Sequence, residues 1–185
     1  MVIGTVLAAM RVSPVPPARA AALGYVEVVR NIPLPVLMVL FYFGMPDIDV
    51  KFSAFATAVL VLSLYSGAFV GEVVRSGINS VAAGQAEAAR SIGLTFPQTL
   101  GLIVLPQAFR TVVQPLGTLF LALTKNTSIA YTISVIDLTG TADRITTATA
   151  EPIAVFGAAC VAYMLLTLPS GYVIGLIERK VAIRR

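Results

Sequence analysis

The sequence contains no histidine and only one cysteine, Cys160, among its 185 residues. The absence of histidine excludes a histidine base, a histidine-assisted nucleophile and a histidine metal ligand. With one cysteine, neither an intrachain disulfide nor a cysteine-rich zinc site is possible. Because Cys160 lies within an apolar run, we expect it to act as a small hydrophobic side chain.

Charge is also scarce. Charged residues make up 12% of the chain, about half of the ~25% that is usual in soluble domains. Hydrophobic residues make up 57%, and the mean hydropathy is +0.89. A soluble domain of this size lacks the polar surface to cover so much apolar area. The composition therefore predicts a membrane protein.

Several segments are long enough to be membrane-spanning helices, which need about 20 apolar residues to cross a hydrocarbon core of about 30 Å. Asn31–Pro46, Ala54–Val74 and Ile153–Ile177 meet or approach this length. A fourth segment, Thr111–Thr124, is shorter and contains Pro115. If it spans, it must pack against other protein, because lipid would leave its freed backbone groups unpaired.

The first ten residues, Met1–Met10, are apolar but would form a helix only about 15 Å long. They lack the basic segment that precedes the apolar part of a signal peptide, and Arg11 follows them instead. We therefore expect them to be the inner half of a first span whose outer half is missing from this sequence.

The basic residues are distributed unevenly between the two ends of these spans. One side of the membrane can be assigned three segments: Val12–Arg30, Arg75–Arg110 and Glu178–Arg185. Only Lys51 and two other basic residues then lie on the other side of the membrane. The first side then has ten of the thirteen lysines and arginines: Arg11, Arg19, Arg30, Arg75, Arg90, Arg110, Arg179, Lys180, Arg184 and Arg185. The other side has Lys51, Lys125 and Arg144. The positive-inside rule assigns the basic side to the cytoplasm, and the scattered positions argue against a nucleic-acid partner.

The long segment on that side, about 75–110, has the composition of two short helices. Gln85–Ile92 is rich in good helix formers, and Gly93 suits a left-handed helix end. Thr95 can cap a second helix that has Pro97 in its first turn. Five small side chains accompany the first helix: Ala82, Ala83, Ala86, Ala88 and Ala89. The segment is either a solvated loop or a surface that another protein approaches closely.

The spacing within this segment resembles a known signature. Glu87-Ala88-Ala89 is followed after three residues by Gly93, after nine more by Ile103, and then by Leu105-Pro106. This resembles the EAA motif of the permeases of ABC importers. The segments 25–34 and 123–130 and the motif Leu166-Thr167-Leu168-Pro169 are similar to the polar amino-acid branch of that family. Asn126, where many members carry aspartate, and the 11–14 segment Arg-Val-Ser-Pro are similar to glutamate-uptake permeases.

The resemblance implies an all-α, five-span permease of the importer type, with its first span truncated at the outer half. Residues 1–185 would form one transmembrane domain in the cell membrane, with a cytoplasmic coupling loop at about 75–110 and a cytoplasmic C-terminus. The coupling residues would be Glu87, Ala88, Ala89, Gly93, Ile103, Leu105 and Pro106.

The implied partners are cytoplasmic ATPase subunits, a second permease or a copy of this chain, and an extracytoplasmic solute-binding protein. The implied substrate is glutamate or a related acidic or polar amino acid. The chain would be a transport subunit and not an enzyme, and would hold no cofactor itself. ATP and magnesium would bind the partner ATPase, since this chain has no G-x-x-x-x-G-K-[ST] phosphate loop.

Polar residues inside a membrane are costly and often mark a substrate path. Lys125, Asn126, Thr127 and Ser128 end an apolar run and offer one cation and three hydrogen-bonding groups to a negatively charged amino acid. Two explanations remain open. The group either lines the path, or Lys125 reaches the outer interface while a hydroxyl caps the next turn.

Other residues suggest helix packing. Glu72 and Arg75 are three residues apart, a spacing that favours an ion pair on one helix. Gly67 with Gly71, and Gly171 with Gly175, each place two glycines on one helix face, either against this chain or against a partner permease. Pro169 is expected to kink the last span.

Two alternatives differ in kind from this function, and a third differs only in the substrate. An intramembrane enzyme lacks the necessary residues: the chain has no histidine, no base near its cysteine and no acid pair within one span. A passive channel or membrane scaffold would leave the EAA spacing unexplained. A permease for a basic or neutral amino acid remains open.

Overall fold

The computed structural model describes residues 1–181, and no strand occurs among them. The all-helical architecture predicted from the sequence is confirmed. The α-helices are α1 Val2–Val12, α2 Pro16–Asn31, α3 Leu34–Val39, α4 Ala54–Asn79, α5 Ala83–Ser91, α6 Phe96–Thr99, α7 Leu105–Asn126, α8 Leu138–Thr149 and α9 Pro152–Val181. Leu40–Gly44 and Leu100–Val104 are π-helical turns, and Met45–Ile48 and Thr127–Ile133 are 3₁₀-helical.

Two helices, α4 and α9, are each long and apolar enough to cross a membrane. Two bent pairs could raise the number of spans to four: Pro16–Asn31 with Leu34–Ile48, and Phe96–Ile133 with Leu138–Thr149. The helix α1 is a shorter apolar helix of 11 residues. Arg184 and Arg185, which contributed to the charge argument, lie outside the described residues.

The first bent pair changes one expectation from the sequence. The helix expected over Asn31–Pro46 begins at Leu34 instead and continues through the π and 3₁₀ turns to Ile48. It is long enough for a span only together with Pro16–Asn31. Ile32 is extended, with φ −100° and ψ 131°, because a residue before proline, here Pro33, is disfavoured in helical geometry. The chain bends by 103° at this break, so α2 is a separate helix that lies across the direction of α3.

The helix α4 is the centre of the bundle. On its amino-terminal half, Ala58 and Val61 pack with Leu37 and Met38 of α3 and with Ile133. A second cluster lies at its other half, where Ala68 packs with Leu7 of α1 and with Ala22 and Val26 of α2. Burying a valine, leucine or methionine side chain away from water contributes about 1.5–3 kcal/mol. In a bilayer, close packing carries more of the stabilisation.

Gly67 and Gly71 face α1 within this chain. A Cβ atom at Gly67 would lie 2.7 Å from Cγ2 of Ile3, and one at Gly71 would lie 3.0 Å from Cβ of Leu7. Both distances are shorter than van der Waals contact, so α1 and α4 approach closely only because these side chains are absent.

Gly171 and Gly175 are in a different setting. A Cβ at Gly171 would make an ordinary 3.5 Å contact with Cδ1 of Leu121, and one at Gly175 would meet nothing within 4 Å. The helix α9 continues through Pro169 to Val181 and exposes many of its large apolar side chains, as a span facing lipid or another chain does.

The two glycine pairs allow a matched test of packing. Replacing Gly67 and Gly71 together by alanine is expected to lower the thermal unfolding midpoint by about 5 °C, because the added methyl groups force α1 away. The measurement is monodisperse protein remaining after heating, by size-exclusion chromatography in detergent. Replacing Gly171 and Gly175 by alanine should leave the midpoint unchanged or higher, since alanine favours helix. An equal loss in both variants would contradict the packing role of the α4 pair.

Candidate functional site

The EAA segment folds as one short helix, a glycine corner and the start of a long helix. Glu87, Ala88 and Ala89 lie in α5, and Ile103 lies in the π-helical turn before α7. Leu105 and Pro106 are the first two residues of α7. The helix expected over Gln85–Ile92 is thus found over Ala83–Ser91.

Gly93 has φ +90°, the left-handed geometry that the sequence predicted. The N–H of Gly93 donates to the carbonyl of Arg90 at 3.0 Å, and the N–H of Leu94 donates to the carbonyl of Ala89 at 3.1 Å. This is the Schellman pattern of hydrogen bonds at a helix end. A Cβ at Gly93 would meet no atom within 4 Å. Glycine is therefore needed here for its backbone conformation and not for space.

Thr95 occupies the position before α6, as expected for its cap. The side-chain oxygen of Gln98 accepts hydrogen bonds from the N–H and the hydroxyl of Thr95, both at 2.9 Å. Pro97 lies in the first turn of α6, where its missing N–H costs little. The corner is thus held on both sides by local hydrogen bonds, which fixes the direction of α5 relative to the next helix.

The corner at Gly93 exposes several large apolar side chains. Ile92 is 79% exposed, Phe96 74% and Leu102 65%. Glu87 and Ala88 are also exposed, whereas Ala89 is buried against its own chain. Exposed apolar side chains next to a small-residue face are typical of a surface that binds another protein.

The π-helical turn explains how Pro106 fits near the start of a long helix. The N–H of Leu105 donates to the carbonyl of Leu100, five residues earlier. Pro106 follows directly and has no N–H to place. The amide of Gln107 donates to the carbonyl of Ile103 at 3.0 Å. The extra residue of the π turn thus accommodates the proline and lets the helix continue.

The four residues expected on the substrate path are divided by the structure. Asn126 lines a cavity of about 190 Å³ between α4 and α7, together with Tyr65, Ser66 and Phe69. Lys125 is exposed and is not among the residues that line this cavity.

The two hydroxyl groups of the predicted path bond locally. Thr127 donates to the carbonyl of Thr124, and Ser128 donates to the carbonyl of Lys125, both at 2.7 Å. Each hydroxyl oxygen can still accept a hydrogen bond, but its O–H group already donates to a backbone carbonyl. Asn126 is therefore the member of the group whose side chain is best placed to meet a ligand between α4 and α7.

The residues on the α4 side of this cavity were not predicted from sequence. Tyr65, Ser66 and Phe69 come from a helix that looked uniformly apolar. The available signal was their spacing, since Ser66 and Phe69 are three residues apart and share a helix face. Phe69 also stacks near Tyr65, with ring centroids 5.0 Å apart, so the cavity has an aromatic wall.

A second cavity, of about 390 Å³, lies between the 3₁₀ segment and α8. It is lined by Tyr131, Ser134, Asp143 and Arg144, among others. The hydroxyl of Tyr131 donates to the carboxylate of Asp143 at 2.5 Å. The sequence placed Arg144 on the side opposite the cytoplasm but gave no reason to join it or Asp143 to Tyr131.

Glu72 pairs with Arg75, as its spacing suggested, and also with an arginine from a different helix. Its carboxylate accepts from the guanidinium of Arg75 and, at 2.9 Å, from that of Arg11 at the end of α1. Its exposed side-chain fraction is 24%, against 14% for Arg11, so the group is partly withdrawn from water. The contact to Arg11 could not be read from sequence because the two residues are 61 positions apart.

Within residues 1–181, no group of three Asp, Glu or Cys side chains could hold a metal ion.

Comparison with known proteins gives a consistent set of relatives. The family model described as "Binding-protein-dependent transport system inner membrane component" matches residues 1–183. A probable glutamine ABC transporter permease protein, GlnM of Bacillus subtilis, is 37% identical over 97% of this chain and 83% of its own length. The glutamate transport system permease protein GluC of Corynebacterium glutamicum is 40% identical over 100% of this chain and 87% of its own length.

Solved structures agree with these sequences. A crystal structure of an amino acid ABC transporter with histidines contains a chain with a TM-score of 0.92 and 33% identity, covering 97% of this chain and 84% of that one. The MetNI methionine ABC transporter, in an inward-facing form, has a TM-score of 0.78 at 18% identity, covering 98% of this chain and 85% of that one. At that identity the second match shows the fold alone.

The ion pairs of Glu72 give a direct stability test. In Glu72→Gln the amide can keep a hydrogen bond but leaves two arginine charges unneutralised at the junction of α1 and α4. We expect a thermal unfolding midpoint lower by a few degrees, measured in detergent after heating. Glu27→Gln is the matched control, because Glu27 is exposed on α2. Equal midpoints for the two variants would rule out a structural role for the Glu72 pairs.

Proposed function

We propose that this chain, which belongs to the family of binding-protein-dependent transport system inner membrane components, carries glutamate or a related polar amino acid across the cell membrane. Its relatives are permease subunits of amino-acid ABC importers, and this chain is likewise a membrane permease subunit of such an importer. The two relatives described above are named for glutamine and for glutamate, which supports a substrate with a polar or acidic side chain.

The observation that carries the coupling role is the corner at Gly93. An exposed short helix ends in a backbone geometry that only glycine adopts without strain, beside exposed apolar side chains. Glu87, Ala88 and Ala89 lie on that helix, and Ile103, Leu105 and Pro106 begin the helix that follows it. The corner is the surface on which the partner ATPase docks, and it lies in the cytoplasm.

The remaining partners follow from the division of labour in this family. ATP and magnesium bind the ATPase subunits, and a solute-binding protein delivers the amino acid at the outer face. A second permease, either homologous or a copy of this chain, completes the path. The carboxyl end of α9 and its basic last turn, with Arg179 and Lys180, lie on the cytoplasmic side, where positive residues are favoured.

Transport works by alternating access. Nucleotide binding closes the ATPase pair, and α5 moves with the surface on which it is docked. From Phe96 to Ile133 the chain is helical without a loop, so motion at the corner is transmitted along this helix. Asn126 lies at the far end of α7 and lines the cavity against α4. Displacement of the helix therefore opens or closes the cavity.

Asn126 is compatible with a polar or acidic substrate. Its amide offers two donors and an oxygen acceptor and carries no charge, so it can donate to a substrate carboxylate without repelling it. A basic amino acid remains the second candidate, because the similar amino acid ABC transporter of known structure was crystallised with histidines.

The test of the substrate is ATP-dependent uptake into vesicles that contain the tagged chain with the subunits that copurify with it. Labelled glutamate should accumulate only with ATP, and unlabelled glutamate or glutamine should compete more strongly than arginine or histidine. Uptake without ATP would identify a passive channel. Stronger competition by arginine would assign the permease to basic amino acids.

Coupling is tested at the corner. Gly93→Ala forces an L side chain into a left-handed conformation, which costs about 1–2 kcal/mol, and is expected to abolish substrate-stimulated ATP hydrolysis. The amount of chain in the membrane should stay near wild type, because a Cβ at Gly93 meets no neighbour. Gly84→Ala is the control, since Gly84 lies in α5 with equally open space. Normal coupling in Gly93→Ala would contradict the docking role.

Substrate charge is tested at the cavity. Asn126→Asp keeps the size of the side chain and adds a negative charge. We expect glutamate uptake to fall at least tenfold, which corresponds to about 1.4 kcal/mol of repulsion at a partly desolvated site, while glutamine uptake falls less. Asp143→Asn, at the second cavity, serves as a comparison with the opposite charge change. An equal fall for glutamate and glutamine would show that Asn126 does not discriminate by charge.

A further inference from the structure

Three arginines line a cavity of about 700 Å³ that lies apart from the Asn126 cavity. It lies where three helix ends meet: Arg11 at the end of α1, Arg19 in the first turn of α2, and Arg75 near the end of α4. Arginine is suited to phosphate because its planar group presents several donors in a fixed fork.

The cavity keeps an excess of positive charge. The carboxylate of Glu72 neutralises part of the arginine charge, through its ion pairs with Arg11 and Arg75. No carboxylate lies within ion-pair distance of Arg19 in the described part of the chain. Two positive charges therefore remain uncompensated at one site, and Glu72 holds two of the arginines in fixed positions.

The start of α2 adds to this potential. The helix is 16 residues long, and its first turn contains no acidic residue and no side-chain cap. The positive end of the helix dipole therefore remains uncompensated. Pro16, the first residue of α2, lines the same cavity, so the helix end and the arginines act on the same volume.

The cavity also has an apolar rim, which indicates what kind of phosphate it receives. Val12 and Leu23 line it beside the arginines, and both are exposed. The start of α2 lies at this cavity beside the carboxyl-terminal ends of α1 and α4. If α4 crosses the bilayer, its carboxyl-terminal end and the cavity lie near the level of lipid headgroups. A soluble anion would gain nothing from the apolar rim, whereas a lipid places acyl chains there.

We propose that this cavity binds the phosphate group of an anionic phospholipid headgroup. Arg19 supplies the uncompensated charge, Arg11 and Arg75 bind the remaining phosphate oxygens, and Val12 and Leu23 contact the upper acyl chain. Basic pockets between helices at the cytoplasmic side are a known type of lipid site. Only the assignment to the cytoplasmic leaflet rests on the orientation proposed above.

The test is native mass spectrometry of the detergent-purified complex that contains this chain, titrated with phosphatidylglycerol or with phosphatidylcholine. We expect wild type to retain one phosphatidylglycerol per chain in preference to phosphatidylcholine. Arg19→Gln should weaken this retention about fivefold, and Arg19→Lys, which keeps the charge, should restore most of it. Arg179→Gln removes one exposed charge at the end of α9 and should leave retention unchanged.

Two results would overturn the proposal. Equal retention of phosphatidylglycerol in wild type, Arg19→Gln and Arg179→Gln would show that the cavity holds no lipid. Displacement of phosphatidylglycerol by millimolar inorganic phosphate, with the phosphate itself bound, would assign the cavity to a soluble anion. Neither result bears on uptake, which is measured separately, so failure here is distinguishable from failure of the proposed transport function.

Discussion

Inside hydrocarbon, every backbone N–H and C=O group must find its partner within the protein, and this chain carries 11 prolines, each of which lacks an N–H. At Pro106 the preceding π turn shifts the hydrogen-bond pattern by one residue, so that the helix from α6 into α7 continues. Pro106 is thus placed where local hydrogen bonding already departs from the regular pattern.

The same constraint links the two ends of the molecule that matter for transport. Because the helix is not broken at Pro106, Gly93 and Asn126 are joined by a stiff path, about 45 Å long between Phe96 and Asn126 at 1.5 Å per residue. The Schellman bonds and the Thr95 cap fix α5 to the start of this path. A movement imposed on α5 therefore reaches the cavity between α4 and α7, whereas a flexible loop would absorb it.

The features that were predictable from sequence are local. The long spans of α4 and α9 follow from apolar length, and the left-handed Gly93 and the position of Thr95 follow from residue types within one turn. The separate helix α2 was not anticipated, although Pro33 marks the break. The Arg11–Glu72 pair and the partners of Asn126 in its cavity join residues far apart in sequence. A single sequence does not show which distant residues come into contact in the folded chain, so these pairs could not be predicted from it.

The most direct test of the central claim is a crosslink between the corner and the ATPase. Ala88 is exposed on α5, and Ala88→Cys can be crosslinked in native membranes after Cys160 is replaced by alanine. The account predicts a covalent product between this chain and an ATPase subunit, whose yield changes when nucleotide is added. A chain that forms no product with any ATPase, although it is abundant in the membrane and accessible to thiol reagents at position 88, would contradict the account.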